Sequence, residues 1–423
     1  MANRKLILIS FDALSFEDIE YLKEKKNFAH ILKNGAWVRR VHGIYPTLTY
    51  PSHATMATGC SVAKHGVVAN QYMIPGDPDP AWCWYHDIFK AKDLITAAKE
   101  KGLTTAAIGW PAMGCHPDAD YIIAEVAGPK NRTGEEFIRD YKACGATDEL
   151  WEAVGEPNLH YRLRPAHPSN TSWFNAYCAL GILRRYQPDL MIVHCAPVDS
   201  AKHVYGAYAE RSKESLDECE IILGEFLRAV RELGIEDITD VIATSDHGQI
   251  DITHTSNPNV LLAQNGWIET DAEGNFTDWK AWCHTAGMCT EVYVKDKADE
   301  PAVYEFFRGM EGKYGIEKVF TEEETEKLGF GGPFSFVLEG DGTVKFGNEY
   351  RGEVMKAYPH PVGCHGYLPE KGPDPTTIAY GPDFRAGVLL EEAELADGAP
   401  TWAKVLGLEL PDAEGRVMEE ILK

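Results

Sequence analysis

Leu6-Ile7-Leu8-Ile9-Ser10-Phe11, followed directly by Asp12, is the stretch that decides the fold. Apolar residues fill this run almost without interruption, which is typical of a strand buried on both faces of a parallel sheet. Similar short runs recur at residues 104–109, 190–194 and 241–244, each after a stretch compatible with a helix. The alternation predicts an α/β fold with a doubly wound, mostly parallel sheet and helices on both faces.

Two helices and a late strand complete the predicted core. Residues 16–32 have a helical pattern. The clearest helix precedes residues 241–244, because apolar residues recur every three or four positions and Gly234 follows as a stop. Its apolar positions are Leu216, Cys219, Leu223, Phe226, Val230 and Leu233. Residues 378–380 resemble one more strand.

The texture of the chain changes at residues 266–352, where glycines and acidic residues are frequent. Short strands are predicted at residues 291–294 and 334–338, and a helix at residues 302–310. We therefore predict an inserted, smaller α+β cap at residues 266–352, within a catalytic core of residues 1–265 and 353–423.

Composition and charge exclude several classes of protein. The chain has 423 residues, 44% of them hydrophobic, and a formal net charge of −24, which is typical of a globular protein rather than a disordered one. So acidic a chain repels polyanions, and no nucleic acid polymer is expected as a partner. No stretch approaches the roughly 20 apolar residues that span a bilayer, so no membrane partner is expected either.

The cysteines and the first residues indicate a compartment. The apolar run near the N-terminus is too short for a secretory signal, and the ten cysteines are then expected to be reduced thiols. We expect a cytoplasmic location. The oligomeric state is left open.

Carboxylates and histidines follow the predicted strands, where the carboxyl ends of parallel strands meet. Asp12 ends the first strand, and Asp246 with His247 ends the strand at residues 241–244. Asp199 and His203 follow the strand at residues 190–194 with the spacing that places both on one face of a helix. His365 stands between Cys364 and Gly366 in a glycine-flanked segment. Three carboxylates and three imidazoles suit two divalent ions of the zinc or manganese type.

Each of these residues also has an ordinary interpretation. An aspartate at a strand end often caps a helix, and Asp-x-x-x-His pairs occur by chance. It is the joint occurrence of the six residues that favours a metal centre.

Thr49 is a candidate nucleophile, because it precedes Tyr50-Pro51 near a predicted helix start. A helix N-terminus would direct backbone N–H groups at an incoming phosphate, and a divalent ion lowers the pKa of a coordinated hydroxyl. The alternative is a proline-bracketed loop whose threonines only cap the following helix.

Taken together, these motifs resemble the alkaline phosphatase superfamily, and within it the nucleotide pyrophosphatase/phosphodiesterase type. The resemblance covers most of the chain except the cap. Its motifs are Ile7-Leu-Ile-Ser-Phe-Asp12, Pro46-Thr-Leu-Thr-Tyr-Pro-Ser-His53, Thr58-Gly59, His65-Gly66, Asn70, Trp110-Pro111, Asp199 with His203, Ser245-Asp-His-Gly248, Gly363-Cys-His-Gly-Tyr367, Ala379-Tyr-Gly-Pro382 and the C-terminal segment 399–416.

The resemblance implies a role for each site residue. One metal ion, preferably zinc with manganese as the alternative, would be held by Asp199, His203 and His365. The second would be held by Asp12, Asp246 and His247, with Thr49 as a bridging nucleophile. Asn70 is implied to stabilise the oxyanion and Tyr50 to stack on a nucleotide base. The implied function is hydrolysis of phosphodiester or nucleotide pyrophosphate bonds through a phosphothreonine.

Departures from the family pattern leave alternatives open. Lys64 stands where the family often has an acidic residue, and it either favours a more anionic substrate or is simply solvated. Phosphonoacetate hydrolysis or phosphomonoester hydrolysis on the same fold is the alternative function. A catalytically silent metal-binding protein is a third interpretation, which the intact Thr49 disfavours. A sulfatase is disfavoured because threonine cannot form the formylglycine aldehyde.

Overall fold

The computed structural model describes residues 4–127, 132–164 and 168–423. Its strands are β1 Lys5–Phe11, β2 Ala36–His42, β3 Thr105–Ile108, β4 Tyr121–Ile123, β5 Leu190–Cys195, β6 Thr239–Thr244, β7 Ile250–Ser256, β8 Ile268–Thr270, β9 Phe276–Trp279, β10 Ala281–Ala286, β11 Cys289–Val294, β12 Ile316–Thr321, β13 Phe336–Gly340, β14 Val344–Phe346, β15 Met355–Cys364, β16 Thr377–Tyr380 and β17 Val388–Glu394.

The α-helices alternate with these strands over much of the chain. They are α1 Ile19–Leu22, α2 Lys26–Asn34, α3 Thr49–Thr58, α4 Val62–His65, α5 Leu94–Glu100, α6 Gly134–Ala143, α7 Asp148–Leu150, α8 Glu156–Arg162, α9 Asn170–Tyr186, α10 Pro197–Tyr205, α11 Glu210–Leu233, α12 Pro258–Gln264, α13 Glu300–Arg308, α14 Glu322–Lys327 and α15 Gly398–Leu406.

The large sheet has the strand order β17-β2-β16-β6-β1-β5-β3-β4. Neighbouring strands run parallel except β16, which is antiparallel to both β2 and β6. The order places β1 in the middle, between β5 and β6, so the carboxyl ends of these three strands lie side by side. The predicted doubly wound, mostly parallel sheet is confirmed.

Helices cover both faces of this sheet, as the side chains of β1 show. Ile7, Ile9 and Phe11 belong to a buried cluster that contains residues of α9 and α11. Leu6 and Leu8 face the other way, into a cluster with residues of α5 and α15. Alternate residues of a strand point to opposite faces, so a run of apolar residues is what a two-sided core requires. Burial of each such side chain contributes about 1.5–3 kcal/mol.

The helix predicted at residues 16–32 is instead two helices, α1 and α2. Lys25 between them is extended, with φ −91° and ψ 147°. This break exposes the first backbone N–H groups of α2, and the Glu220 carboxylate of α11 accepts from Asn27 N at 2.8 Å and Phe28 N at 3.0 Å. The continuous-helix prediction is wrong because a partner distant in sequence satisfies these groups.

Smaller sheets form the region that contains the predicted cap. Strands β10, β11, β13 and β12 make a four-stranded antiparallel sheet, and β14, β7 and β15 make a three-stranded one. The strands and the helix predicted inside the cap correspond to β11, β13 and α13. The limits 266 and 352 stay a prediction. Among the described helices, none combines the length and apolar composition needed to cross a bilayer.

Candidate two-metal active site

The six predicted ligands converge at the carboxyl edge of the large sheet. Asp12 follows β1, the pair Asp246 and His247 follows β6, and α10 after β5 carries Asp199 and His203. Because β5, β1 and β6 are adjacent and parallel, their ends bring these side chains together. His365 comes from a different sheet, directly after β15.

Asp199, His203 and His365 form the first group. Asp199 Oδ1 lies 3.2 Å from His203 Nε2 and 3.7 Å from His365 Nε2. His203 Nδ1 donates to the Gly363 carbonyl at 2.8 Å, and His365 Nδ1 donates to the Thr47 carbonyl at 3.0 Å. Since a carbonyl only accepts, Nδ1 of each ring carries a proton, and Nε2 directs a lone pair towards the carboxylate whenever the ring is neutral. Lone pairs facing a carboxylate fit a cation between them, and such backbone contacts orient histidine ligands.

Asp12, Asp246, His247 and Thr49 form the second group. His247 Nδ1 donates to the Gly248 carbonyl at 3.1 Å, which leaves the lone pair on Nε2. This Nε2 lies 3.3 Å from Asp12 Oδ1, 3.2 Å from Asp246 Oδ2 and 3.2 Å from Thr49 Oγ1.

Two carboxylate oxygens of this second group are buried without a hydrogen-bond partner in the described part of the chain. Asp12 Oδ1 and Asp246 Oδ2 are buried and have no hydrogen-bond partner among the described residues. Ligand atoms of Asp12, Asp199 and His247 also lie within 4.8 Å of one another, so the two groups are contiguous. Buried oxygens of this kind normally have partners, and a divalent cation would satisfy them.

The pKa shifts of the clustered carboxylates and imidazoles also favour a bound cation. Burial raises the pKa of Asp12, with a further increase from Asp199, and burial also raises the pKa of Asp246. Burial lowers the pKa of His247 and brings that of His365 to about 4, so both imidazoles are neutral at pH 7. Burial opposes ionisation of Asp199 as well, but the facing His203 and His365 lower its pKa. Clustered buried carboxylates need positive charge to ionise together.

Thr49 is the first residue of α3 and is 7% exposed. The Asn70 side chain lies at the same helix end, because its Oδ1 accepts from Tyr50 N at 2.9 Å. This contact satisfies one N–H of the first turn and leaves the Asn70 amide group free to face a ligand. A helix N-terminus beside a cation site is a suitable place for a phosphate.

Tyr50 is in a different environment from the one that base stacking needs. Its ring is 0% exposed and packs against Trp82 with ring centroids 5.5 Å apart. Its role in stacking stays a prediction, as do the roles of the ligands, Thr49 and Asn70.

Two residues at the site escaped the sequence analysis. His194 at the end of β5 has its Nε2 3.0 Å from Asp12 Oδ2 and its Nδ1 3.1 Å from the Gly109 carbonyl. Gln249 donates from Nε2 to Asp199 Oδ1. A polar residue inside an otherwise apolar strand was the available signal for His194, and Gln249 had none.

A third cluster, formed by His86, Asp93 and His116, also contains residue types that bind metals, but its role is structural. His86 and His116 both contact Asp93 Oδ2, at 2.8 and 3.0 Å. His116 Nδ1 accepts from Asp118 N at 3.1 Å, so its Nε2 carries the proton and has no lone pair for a metal. Asp93 Oδ1 caps α5 through Thr96 N at 2.9 Å. Hydrogen bonds therefore already account for this cluster.

A family model decides what class of enzyme this geometry belongs to. Residues 6–328 match the model of type I phosphodiesterase / nucleotide pyrophosphatase. The chain belongs to this family. The predictions of a type I phosphodiesterase / nucleotide pyrophosphatase relationship, and of a hydrolase of phosphodiester and pyrophosphate bonds, are thereby confirmed.

The chain is similar to two named proteins over nearly its whole length. Bis(5′-adenosyl)-triphosphatase ENPP4 of Homo sapiens is 22% identical over 424 residues, covering 96% of this chain and 78% of that protein. Ectonucleotide pyrophosphatase/phosphodiesterase family member 7 of Rattus norvegicus is 22% identical over 431 residues, covering 99% of this chain and 87% of that protein.

A solved structure confirms the fold. Murine ectonucleotide pyrophosphatase/phosphodiesterase 5, in complex with AMP, matches with a TM-score of 0.69 and 17% identity. The match covers 99% of this chain and 100% of that one.

Proposed function

We propose that this phosphodiesterase cleaves its substrate through a phosphothreonine on Thr49, at a centre of two divalent ions. The observation that carries the proposal is the position of Thr49 Oγ1, 3.2 Å from His247 Nε2 at the N-terminus of α3. A hydroxyl at that place lies beside both the proposed second ion and the backbone N–H groups that would receive a phosphate.

The residues proposed to hold the ions fit zinc best, with manganese as the alternative. Asp199, His203 and His365 would hold one ion, and Asp12, Asp246 and His247 the other. Three imidazole nitrogens with carboxylate oxygens are typical zinc donors, and the lone pairs described above are available to them. Bound there, two divalent ions would supply positive charge for the phosphoryl oxygens and for the threonine alkoxide.

The chain's own groups have defined tasks in the proposed reaction. Thr49 attacks the phosphorus, the leaving group departs on the opposite side, and water then hydrolyses the phosphothreonine. The Asn70 amide N–H donates to a non-bridging oxygen. Two inversions give net retention at phosphorus.

The surroundings of two lysines favour diesters over dianionic monoesters. Lys64 donates to the Asp412 carbonyl at 2.5 Å, and Lys202 donates to the Ala13 carbonyl at 2.9 Å and to Asp18 Oδ2 at 3.0 Å. Each ammonium is already bound to the protein. These two lysines therefore add no free cation for the second charge of a monoester.

Substitution of Thr49 tests the proposal. Thr49→Ala is expected to lower kcat for bis(p-nitrophenyl) phosphate by on the order of 10³-fold or more, because no oxygen remains to attack. Thr49→Ser is the matched control and should retain turnover, since it keeps the hydroxyl. Both variants should bind two equivalents of metal by elemental analysis.

Retained multiple turnover in Thr49→Ala would remove the covalent mechanism. Comparing kcat/KM for a diester, a monoester and phosphonoacetate on one preparation decides between the main proposal and its alternatives.

We further propose a cytoplasmic location. Its support is that all ten cysteines, which lie in the described part of the chain, are free thiols. Fractionation of the source cells tests it, and recovery outside the cytoplasm would contradict it.

A further inference from the structure

Glu339 of β13 is a buried carboxylate that joins the four-stranded sheet to two other parts of the chain. Its side chain is 0% exposed, and its Oε2 accepts from Tyr45 OH at 2.9 Å. Its Oε1 accepts from Leu368 N at 3.1 Å and lies 2.8 Å from Lys371 Nζ. Burial of a carboxylate is costly unless partners of this kind satisfy it. The partners belong to two segments that each lead to a proposed site residue.

The segment that contains Tyr45 leads to the proposed nucleophile. The Tyr45 ring is 2% exposed and packs edge-on against Phe320 and Phe330, with ring centroids 6.1 and 5.3 Å apart. Thr49 begins α3 four positions further along the chain. Because the connection is so short, a displacement of Tyr45 would also displace the first turn of α3.

The segment that contains Leu368 leads to His365, and Thr47 binds the two segments to each other. The Thr47 carbonyl accepts from Gly366 N at 2.8 Å and from His365 Nδ1 at 3.0 Å. Thr47 Oγ1 accepts from Tyr367 N and donates to the Tyr367 carbonyl, both at 3.0 Å. The segment that carries the nucleophile and the segment that carries the histidine are therefore one hydrogen-bonded unit, and Glu339 binds both.

The turn between β10 and β11 is a second contact of the four-stranded sheet with this unit. Met288 N donates to the His365 carbonyl at 2.9 Å. Gly287 approaches the same carbonyl so closely that an added Cβ would lie 2.2 Å from its oxygen. An approach this close needs glycine. The sheet therefore contacts the chain both at His365 and at Leu368.

We propose that Glu339 is a positioning residue, which holds Thr49 and His365 in their places from the four-stranded sheet. Each of its oxygens binds one of the two segments, so a single carboxylate fixes their separation. Misplacement of a reacting group by about 1 Å can cost on the order of 10²-fold in rate. The four-stranded sheet is thus a fixed part of the active site. This inference rests on the proposed function, because it uses the roles given there to Thr49 and His365.

Substitution of Glu339 tests the positioning role with two readouts. Glu339→Ala is expected to lower kcat for bis(p-nitrophenyl) phosphate by on the order of 10²-fold with little change in KM. It should also weaken the binding of one of two zinc equivalents by about 10- to 100-fold, measured by competition with a chromophoric chelator. Glu339→Gln should retain most of both values, because its amide oxygen can accept from Leu368 N and its NH₂ group can donate to the Tyr45 hydroxyl.

Glu291→Ala is the matched control. Glu291 is 0% exposed and pairs in register with Val337, two positions before Glu339, so both glutamates lie on the same face of the sheet. Its carboxylate accepts from Tyr293 OH at 2.6 Å, on its own strand. Glu291→Ala should lower Tm, because it leaves a buried hydroxyl unpaired, but it should change neither kcat nor zinc affinity.

Tyr45→Phe keeps the test decisive if Glu339→Ala folds poorly. It retains the ring and removes only the hydroxyl, so it should lower kcat and zinc affinity by smaller factors. Losses in Glu339→Ala and Tyr45→Phe that are no larger than those in Glu291→Ala would overturn the positioning role, and so would equal losses in Glu339→Gln and Glu339→Ala. If the wild type binds no stoichiometric metal, or if Thr49→Ala retains multiple turnover, the proposed function itself fails, which is a different result.

Discussion

Substitutions of Asn70 can separate its structural contact from its proposed catalytic role. Its Oδ1 accepts from Tyr50 N at 2.9 Å, and an N–H can donate only to the oxygen of the amide. The NH₂ group is therefore the part available to the phosphate. Asn70→Asp keeps the acceptor and loses the donor, whereas Asn70→Ala loses both.

The expected magnitudes follow from these contacts. Removing one donor to a developing oxyanion costs about 10²- to 10³-fold in kcat, so Asn70→Ala should lose that much. Asn70→Asp should lose more, because a carboxylate near the phosphate adds repulsion. Leaving Tyr50 N unpaired costs about 1–3 kcal/mol of the free energy of unfolding in Asn70→Ala only. An unfolding entropy near 2.1 cal/mol/K per residue over 423 residues makes this a fall of about 1–3 °C in Tm.

Steady-state kinetics with bis(p-nitrophenyl) phosphate and calorimetry of the metal-loaded variants measure both effects. Asn70→Asp is expected to melt within about 1 °C of the wild type, since its oxygen still binds Tyr50 N and a negative charge suits a helix N-terminus. Near-wild-type kcat in Asn70→Asp would refute the role of the amide. Equal Tm values for the Ala and Asp variants would refute its structural role.

Three further outcomes are expected. Chelation should lower Tm, and added zinc or manganese should restore it, because metal at 100 times Kd adds about 2.7 kcal/mol per site to the free energy of unfolding. A Tm that does not respond to metal would contradict the two-ion centre. Phe226→Ala should lower the free energy of unfolding, measured with urea, by about 3–5 kcal/mol, because Phe226 is buried in α11. Ile221 is 49% exposed, so the control Ile221→Ala should change this free energy by no more than about 0.5 kcal/mol. The folded-state pKa of Glu291, about 8, exceeds its unfolded value of about 4.3, so its contribution to stability is present below pH 4 and lost as pH rises through 8. The Tm of Glu291→Gln should therefore fall less than the wild-type Tm between about pH 6 and about pH 9, and parallel curves would contradict the raised pKa.

Strand positions in the core were predictable because burial on both faces demands continuous apolar runs. β1, β5 and β6 were found in this way, within one or two residues at most ends. Strands β2 and β17 were not found, since both contain half-buried and exposed residues instead of a continuous buried run, and both lie towards one edge of the sheet. The break between α1 and α2 was missed because the Glu220 carboxylate that stabilises it lies far away in sequence.

The candidate site divides in the same way. Asp12, Asp246 and His247 were predictable from their place after apolar strands. His194 was not predicted as a site residue. In the structure it pairs in register with Ser10 on the neighbouring strand, two residues before Asp12. Its contact with Asp12 depends on the sheet order, which no local pattern encodes.

The amino-acid sequence by itself determined which groups are available, because residue type decides what a side chain can donate, accept or coordinate. It also determined that most of them follow buried strands, because apolar periodicity is a local property. Tertiary structure alone decided that His365 from another sheet reaches Asp199, and which nitrogen each histidine presents. It alone joined Glu339 to Tyr45, since such contacts depend on burial and on partners distant along the chain.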